Sequence, residues 1–132
     1  NFGTTPEDTV GLRVTSMETG VYFFYIPGCA AVTEDLAARI TGAPLVLFDG
    51  TLWHDNEMVD AGIGVKTGKR MGHISMSGPD GSMAAFEDLE VERKVFIHIN
   101  NSNPALLEDS PERKTVEAAD WDVAFDGMEL SL

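Results

Sequence analysis

Two short runs of apolar residues, each stopped by polar ones, constrain the fold of this chain most. Residues 44–48 (PLVLF) lead directly into the turn sequence DGT, and residues 95–99 (VFIHI) lead into two asparagines. Uninterrupted apolar runs of this length are typical of strands that are covered on both faces. Residues 21–26 (VYFFYI), which end at a Pro-Gly pair, form a third such run. The chain therefore needs a layered fold that buries a sheet.

The segments around these runs predict a hairpin at the start of the chain and helices between the later strands. Residues 9–16 alternate apolar and polar side chains, which predicts a half-buried strand paired with the run at 21–26. Strands that alternate with helices indicate an α/β architecture. The other predicted elements are a helix from the N-cap Thr33 to Gly42, a helix at 79–89, a helix opened by Ser110 and Pro111, and two strands at 121–125 and 128–132 joined by a turn.

Composition excludes several classes of function. The chain has 132 residues and a net charge of −13, which disfavours binding to nucleic acids and to anionic membranes. It contains no apolar run near the length of about 20 residues that a membrane span needs. Residues 1–3 (NFG) lack the basic start of a signal peptide, so we expect a cytoplasmic protein. The one cysteine, Cys29, excludes an internal disulfide, and its apolar neighbours predict a buried, unreactive thiol.

Three polar residues are candidates for a functional site because of their positions. Asp49 ends one buried strand, His98 lies near the end of another, and His73 lies in the glycine-rich stretch between them. Functional side chains collect where the strands of α/β sheets end, and Asp and His are common ligands of zinc, iron and manganese. Each residue also has a simpler interpretation, since Asp before Gly forms turns and a histidine in a strand is often a hydrogen-bonded core residue.

Other polar segments carry weaker signals. His54 precedes the sequence DNE, which predicts a solvated helix start and a surface position. The asparagines at 100–103 form either an elaborate turn or contacts that hold a substrate or orient His98. The basic segment 66–70 (KTGKR) either binds a carboxylate or is an exposed loop. The chain contains neither a Walker P-loop nor the GxSxG elbow of serine hydrolases.

Five segments, in this order along the chain, resemble the coenzyme PQQ synthesis protein B family, which belongs to the metallo-β-lactamase-like superfamily. The similarity extends over nearly the whole chain from about residue 10. The segments are 47–53 (LFDGTLW), 71–73 (MGH), 96–104 (FIHINNSNP), 109–113 (DSPER) and 126–129 (DGME).

The resemblance implies a fold and a site. It implies that residues 1–132 form one partial domain, the C-terminal half of an αββα sandwich. It implies Asp49 and His98 as metal ligands, and His73 as a catalytic residue beside the metal. The asparagines that follow His98 would bind the substrate, and these are Asn100, Asn101 and Asn103.

The resemblance also implies a role in the biosynthesis of pyrroloquinoline quinone (PQQ). The implied reaction is iron-dependent hydroxylation of the tyrosine ring in a crosslinked Glu–Tyr precursor, with zinc as the alternative metal. One alternative is a carrier or transport protein for PQQ or its precursor. Another is a metal-dependent hydrolase, because most proteins with this fold hydrolyse esters.

The chain departs from the family pattern in two respects. The family's HxHxDH motif, which supplies most of the metal ligands, is absent from these residues, so we expect the chain alone to be inactive. Half of a sandwich leaves one face uncovered, so we also expect self-association or pairing with an N-terminal half. Asp120 stands where the family has glycine after a helix, and it costs about 1 kcal/mol if the backbone is left-handed there.

Overall fold

A five-stranded mixed sheet forms the centre of the molecule. The computed structural model describes residues 9–132, so the segment 1–3 that bears on a signal peptide lies outside the described residues. The spatial order of the strands follows their order in the chain, with the first pair antiparallel and the other three pairs parallel. The strands are β1 Leu12–Thr15, β2 Tyr22–Ile26, β3 Val46–Asp49, β4 Lys94–Ile97 and β5 Asp122–Val123.

The helices are short and lie between the strands, which confirms the predicted α/β architecture. Thr33 and Ser110 accept hydrogen bonds from backbone N–H groups in the first turns of their helices, as the sequence predicts. The helices are α1 Glu34–Ile40, α2 Glu57–Asp60, α3 Gly68–Met71, α4 Ser82–Phe86 and α5 Pro111–Ala118, with a 3₁₀ turn at Pro104–Leu106. Within residues 9–132, none of these helices has the length and apolar character required to cross a bilayer.

One face of the sheet carries the hydrophobic core. Phe48 of β3 and Phe96 of β4 are register partners that are fully buried. Trp121 stacks on Phe96 with 3.9 Å between ring centroids, and Phe86 of α4 contacts both Phe48 and Trp121 edge to face. Aromatic rings of this size bury large apolar areas, so this cluster fixes α4 and the end of α5 against the sheet.

The opposite face of the β1–β2 hairpin is exposed. Leu12 pairs with Tyr25 and Val14 pairs with Phe23, so successive pairs alternate between faces and these four side chains share one face. Leu12 is 50% exposed, Val14 44% and Tyr25 40%. We refer to these four residues as the outer face of the hairpin. The prediction of a half-buried β1 is wrong, because each of its residues is exposed.

Three further predictions about elements need correction. The helix expected at 79–89 spans only Ser82–Phe86, and the strand expected at 121–125 spans only Asp122–Val123. The turn around Gly127 forms, with a positive φ of 83°, but residues 128–132 form no strand. Residues 128–132 thus lack the partner strand that a hairpin requires, and an alternating pattern alone cannot supply one.

Candidate metal centre

The site begins where β3 and β4 end. Asp49 and Ile97 are register partners and the last residues of their strands, so His98 follows directly beside Asp49. The carboxyl ends of parallel strands lie at one edge of a sheet, and there the two candidate ligands meet. His98 is the first residue after β4, which corrects the prediction that it lies within the strand.

Gly50 allows the two strand ends to approach this closely. A Cβ at this position would lie 2.9 Å from Cβ of Phe96 and 3.0 Å from the carbonyl oxygen of Ile97. Its own N–H donates to that carbonyl at 2.8 Å. A side chain at position 50 would therefore push Asp49 away from the segment that carries His98.

Asp49 is fully buried and its carboxylate is held by four donors. The N–H of Cys29 donates to Oδ2 at 2.9 Å, and the Thr51 N–H and hydroxyl donate to Oδ1 at 3.0 and 2.6 Å. Nδ1 of His73 lies 2.7 Å from Oδ2. Because burial removes water, these contacts fix the orientation of the carboxylate.

His98 adopts a backbone conformation that is unusual for a residue with a side chain. Its φ is +53°, in the left-handed region. The N–H of Asn100 donates to the carbonyl of Thr51 at 3.1 Å, and the Thr51 hydroxyl lies 3.1 Å from the carbonyl of His98. The segment is thus tied to the end of β3, and left-handed strain of this kind is concentrated at functional sites.

His73 reaches the same point from the loop after α3. Gly72 ends that helix with a φ of +81°, and the N–H of His73 donates back to the carbonyl of Gly68 at 2.9 Å. The hydrogen bond to the Asp49 carboxylate raises the pKa of His73 above its ordinary value, although partial burial opposes this. The rings of His73 and His98 stack with centroids 5.5 Å apart.

The three residues form a candidate metal site. Asp49, His73 and His98 each offer one candidate ligand atom, and these three atoms all lie within 4.8 Å of one another. Two imidazoles and one buried carboxylate are a donor set that suits iron, zinc or another divalent transition metal. In the sequence, His73 lies 24 positions after Asp49 and 25 positions before His98. The sheet register and the loop after α3 bring the three residues together.

The other candidate residues fall into different places. Asn103 is 2% exposed, and its side chain donates to the carbonyl of Gly50 and accepts from the N–H of Ala105, so it supports the fold and is not free to bind substrate. Asn101 is exposed and Asn100 is half-buried. His54 is exposed, as predicted, with Nε2 3.9 Å from Asp60.

Cys29 is buried, and this burial raises the pKa of its thiol to about 11. The thiol therefore stays protonated near neutral pH, as the sequence predicted, and does not act as a nucleophile. The contribution of this residue to the site is its backbone N–H, which sequence patterns do not reveal.

A buried glutamate connects two loops of the site, and no motif in the sequence predicts this role. Glu57 is 5% exposed, which corrects the prediction of a solvated helix start. Its carboxylate accepts from the N–H of Trp53 at 2.9 Å and from the hydroxyl of Ser102 at 2.7 Å. Ser102 in turn accepts from the side chain of Asn100 at 2.6 Å. This chain of bonds anchors the loop that follows His98.

The basic segment 66–70 borders a cavity of about 800 Å³ beside the candidate metal site. His73, Lys69 and Ser77 are among the lining residues, together with Asp55 and Asp80. Asp55 accepts from the backbone N–H of Lys69 at 2.7 Å. Within residues 9–132 the Lys69 ammonium group makes no ion pair.

Comparison with known proteins identifies the family. Residues 1–99 match the beta-lactamase superfamily domain. The chain belongs to the beta-lactamase superfamily. The crystal structure of a diphosphatase from the PhnP family is 18% identical over 93% of this chain and 42% of that one, with a TM-score of 0.53. This likeness supports the superfamily fold alone.

Within the superfamily, the chain is similar to proteins named coenzyme PQQ synthesis protein B. The protein from Bradyrhizobium diazoefficiens is 57% identical over 95% of this chain and 40% of its own length. The one from Xanthomonas campestris is 58% identical over 96% of this chain and 42% of its own length. The predicted resemblance is thus confirmed, and the chain spans about two fifths of the length of these relatives.

A solved structure agrees with the sequence comparison. Zinc-bound PqqB from Methylobacterium extorquens superposes with a TM-score of 0.90 at 56% identity, covering 94% of this chain and 44% of that one. The prediction of a part of a metallo-β-lactamase-like fold is confirmed by this match. The zinc ion is a property of that protein.

Proposed function

We propose that this chain supplies one part of the metal centre of a protein that acts in PQQ biosynthesis. The observation that carries the proposal is the convergence of Asp49, His73 and His98 to within 4.8 Å at the end of two central strands. Relatives 57–58% identical to this chain bear the name coenzyme PQQ synthesis protein B, which supports the pathway. The cytoplasmic location expected from the sequence stays a prediction.

We favour iron as the metal and hydroxylation as the reaction. Histidine and carboxylate side chains such as those of His98 and Asp49 are common ligands of non-haem iron, and zinc in the Methylobacterium relative supports binding of a divalent metal by this family. When bound, iron would activate dioxygen so that one oxygen atom enters the tyrosine ring of a crosslinked Glu–Tyr precursor and the other is reduced to water by a two-electron reductant.

The protein residues have separate tasks in this proposal. Asp49 and His98 bind the metal, and the four hydrogen bonds to Asp49 hold its carboxylate in place before the metal arrives. His73 is partly exposed to the cavity, so it is positioned to hold or release a proton next to the substrate. The metal ligands that the chain lacks would come from the HxHxDH motif of an N-terminal half, so the chain alone is expected to be inactive.

The cavity beside His73 is the proposed site of the precursor. Its volume of about 800 Å³ lies within the usual range of pockets for small ligands. Lys69 is the basic group on its wall without an ion pair in the described range, so it would receive a carboxylate of the precursor. Asn100 and Asn101, in the loop after His98, remain candidates for further contacts with substrate.

The test uses a full-length protein in which this chain replaces the matching segment of the Methylobacterium relative. We expect His98→Ala to lower iron content and to abolish oxygen uptake with the precursor. His54→Ala is the matched control, because it removes an exposed imidazole outside the site. Unchanged iron content in the His98→Ala protein would contradict the proposed ligand.

The same protein distinguishes an enzyme from a carrier, the alternative that the cavity also favours. A carrier needs a pocket and no redox metal. Tight binding of PQQ to the metal-free protein, without oxygen uptake when the precursor is added, would support the carrier. Hydroxylated product that forms only in the presence of iron would support the oxygenase.

A further inference from the structure

The hydroxyl of Thr51 lies within hydrogen-bond distance of all three residues of the candidate metal site. Its Oγ1 is 2.6 Å from Oδ1 of Asp49, 2.9 Å from Nδ1 of His98 and 3.1 Å from Nδ1 of His73. The residue is 8% exposed, so water has little access to replace these contacts. One small side chain thus contacts all three candidate ligands.

The number of hydrogens at this hydroxyl decides the direction of each bond. A hydroxyl has one hydrogen and two lone pairs, and a carboxylate oxygen only accepts. The shortest contact is to the Asp49 carboxylate, and hydrogen bonds to charged acceptors are shorter and stronger than bonds to a neutral carbonyl such as that of His98. The hydrogen of Thr51 therefore goes to Asp49, and Oγ1 is left as an acceptor.

The nitrogen of His98 that contacts Oγ1 must then be a donor. Nδ1 carries the proton in a neutral ring, and the other nitrogen, Nε2, keeps the lone pair that a metal needs. For His73 the same result follows from the 2.7 Å contact between its Nδ1 and the Asp49 carboxylate, which requires a donor at Nδ1. Ring orientation by a partner at the second nitrogen is usual in metal sites.

We propose that Thr51 is a positioning residue that links Asp49 to His98 and fixes His98 as the Nδ1–H tautomer, so that Nε2 is the atom presented to a metal. This inference rests on the proposed metal centre for its function. The tautomer itself is a property of the metal-free chain. Thr51 also uses its backbone N–H toward Asp49 and its carbonyl toward Asn100, and these bonds do not depend on the side chain.

The substitution Thr51→Val separates the hydroxyl from the packing. Valine keeps the branched shape and removes the hydroxyl, whereas Thr51→Ser keeps the hydroxyl and removes a methyl group. Thr115→Val is the matched control, since the Thr115 hydroxyl bonds the carbonyl of Pro111 on the exposed side of α5. Circular dichroism of each variant checks that the fold is retained.

Titration calorimetry with Zn²⁺, on the full-length protein that carries this chain together with the remaining metal ligands, measures the effect on the metal site. We expect Thr51→Val to weaken Zn²⁺ binding about 10-fold to 100-fold, the usual effect of losing a residue that orients a ligand. Thr51→Ser should bind within a few-fold of the original chain, and Thr115→Val should bind as the original does. Equal Zn²⁺ affinity in the Thr51→Val and original chains would overturn the inference.

A second measurement does not depend on metal binding. Long-range proton–nitrogen NMR correlations of the metal-free chain, at a pH where the ring is neutral, report which nitrogen of His98 carries the proton. We expect Nδ1–H in the original chain and in Thr51→Ser, and a shift toward Nε2–H in Thr51→Val. An Nε2–H ring in the original chain would refute the role of Thr51, whereas absence of Zn²⁺ binding with the expected tautomers would refute only the metal centre.

Discussion

The carboxyl ends of β3 and β4 and the outer face of the β1–β2 hairpin belong to one sheet but differ in the burial of their strand residues and in hydrogen bonding. Asp49 and Phe96 are fully buried, and each polar group of Asp49 has a partner. Leu12 and Val14 are about half exposed, and Met17 in the hairpin turn is 98% exposed. The apolar character of a strand in the sequence therefore does not decide its burial, which depends on what packs against it.

The comparison also separates two roles of apolar residues. At the strand ends they fix polar groups, because Phe48 and Phe96 hold the positions from which Asp49 and His98 extend. On the outer face, Leu12, Val14 and Tyr25 are 40–50% exposed. Four predictions test this contrast, and a fifth, at Asp120, tests the cost of a left-handed residue outside both regions.

The largest expected effect comes from emptying the core under the site. Phe48→Ala should lower the free energy of unfolding by about 3–5 kcal/mol, because it removes a fully buried ring and leaves a cavity. Val14→Ala on the outer face is the comparison, and it should change stability by less than about 0.5 kcal/mol. Urea unfolding measures both values. Equal costs would mean that the outer face is covered in solution.

Gly50→Ala should cost about 1–3 kcal/mol, because the new methyl group has no room between the strand ends. Gly28→Ala is the matched control, since a Cβ there would meet only ordinary contacts at 3.6 and 3.8 Å. Thermal unfolding gives the ranking. A Gly50→Ala chain as stable as the Gly28→Ala chain would show that β3 and β4 separate easily at this end.

Part of the site was predictable from the sequence, and the reason is the sheet. Asp49 and His98 each lie at the end of an apolar run, and strands that lie side by side bring their ends together, so the meeting of these two candidate ligands could be expected from strand prediction. His73 lies in a loop and follows no such rule, and its place beside the metal was implied only by the family resemblance. The contacts of Thr51 and Glu57 span 47 and 45 residues, so no local pattern reveals them.

The fold shows the same division. The helix starts at Thr33 and Ser110 were predictable because capping is local, and the hairpin was predictable from its turn. The strand expected at 128–132 was not, because a strand requires a partner that its own sequence does not specify. The exposure of β1 was not predictable either, since an alternating pattern shows which side chains share a face but not whether another element packs on that face.

Asp120→Gly should stabilise the chain by about 1 kcal/mol, away from both compared regions. Asp120 has a φ of +64°, and with Trp121 it ends α5 through hydrogen bonds to Glu117 and Val116 in the Schellman pattern. The cost of about 1 kcal/mol expected from the sequence applies only if the backbone at this position is left-handed, and it is left-handed in the structure. Ala119→Gly, at a φ of −84°, should destabilise the chain instead. Stabilisation by both substitutions would contradict the assignment of strain to position 120.

The strand-end site should become less stable as pH rises, because the ion pair between His73 and Asp49 is then lost. The pKa of His73 in the folded chain is raised above its ordinary value of 6.5, so its contribution is fully present below that value. It is lost as pH increases through the raised value, when the ring becomes neutral. We therefore expect the unfolding free energies of the metal-free original and His73→Gln chains to converge at high pH. His54→Gln controls for the loss of an exposed imidazole. If the difference in unfolding free energy between the original and His73→Gln chains grows with pH, the pKa of His73 is lowered in the folded chain and not raised.

The smallest effect on stability, and a large one on association, is expected on the outer face of the hairpin. We propose that the isolated chain self-associates or pairs with an N-terminal half through this face, because β1 is an edge strand that carries exposed apolar side chains. Leu12→Lys places a charge on the face and should reduce the concentration-dependent mass measured by light scattering. Thr15→Lys places the same charge on the other side of β1, so it should reduce association less. Stability should change by less than about 0.5 kcal/mol in both variants. If the original chain scatters as a monomer at all concentrations, the outer face does not drive association, and exposed apolar side chains on an edge strand are then tolerated without a partner.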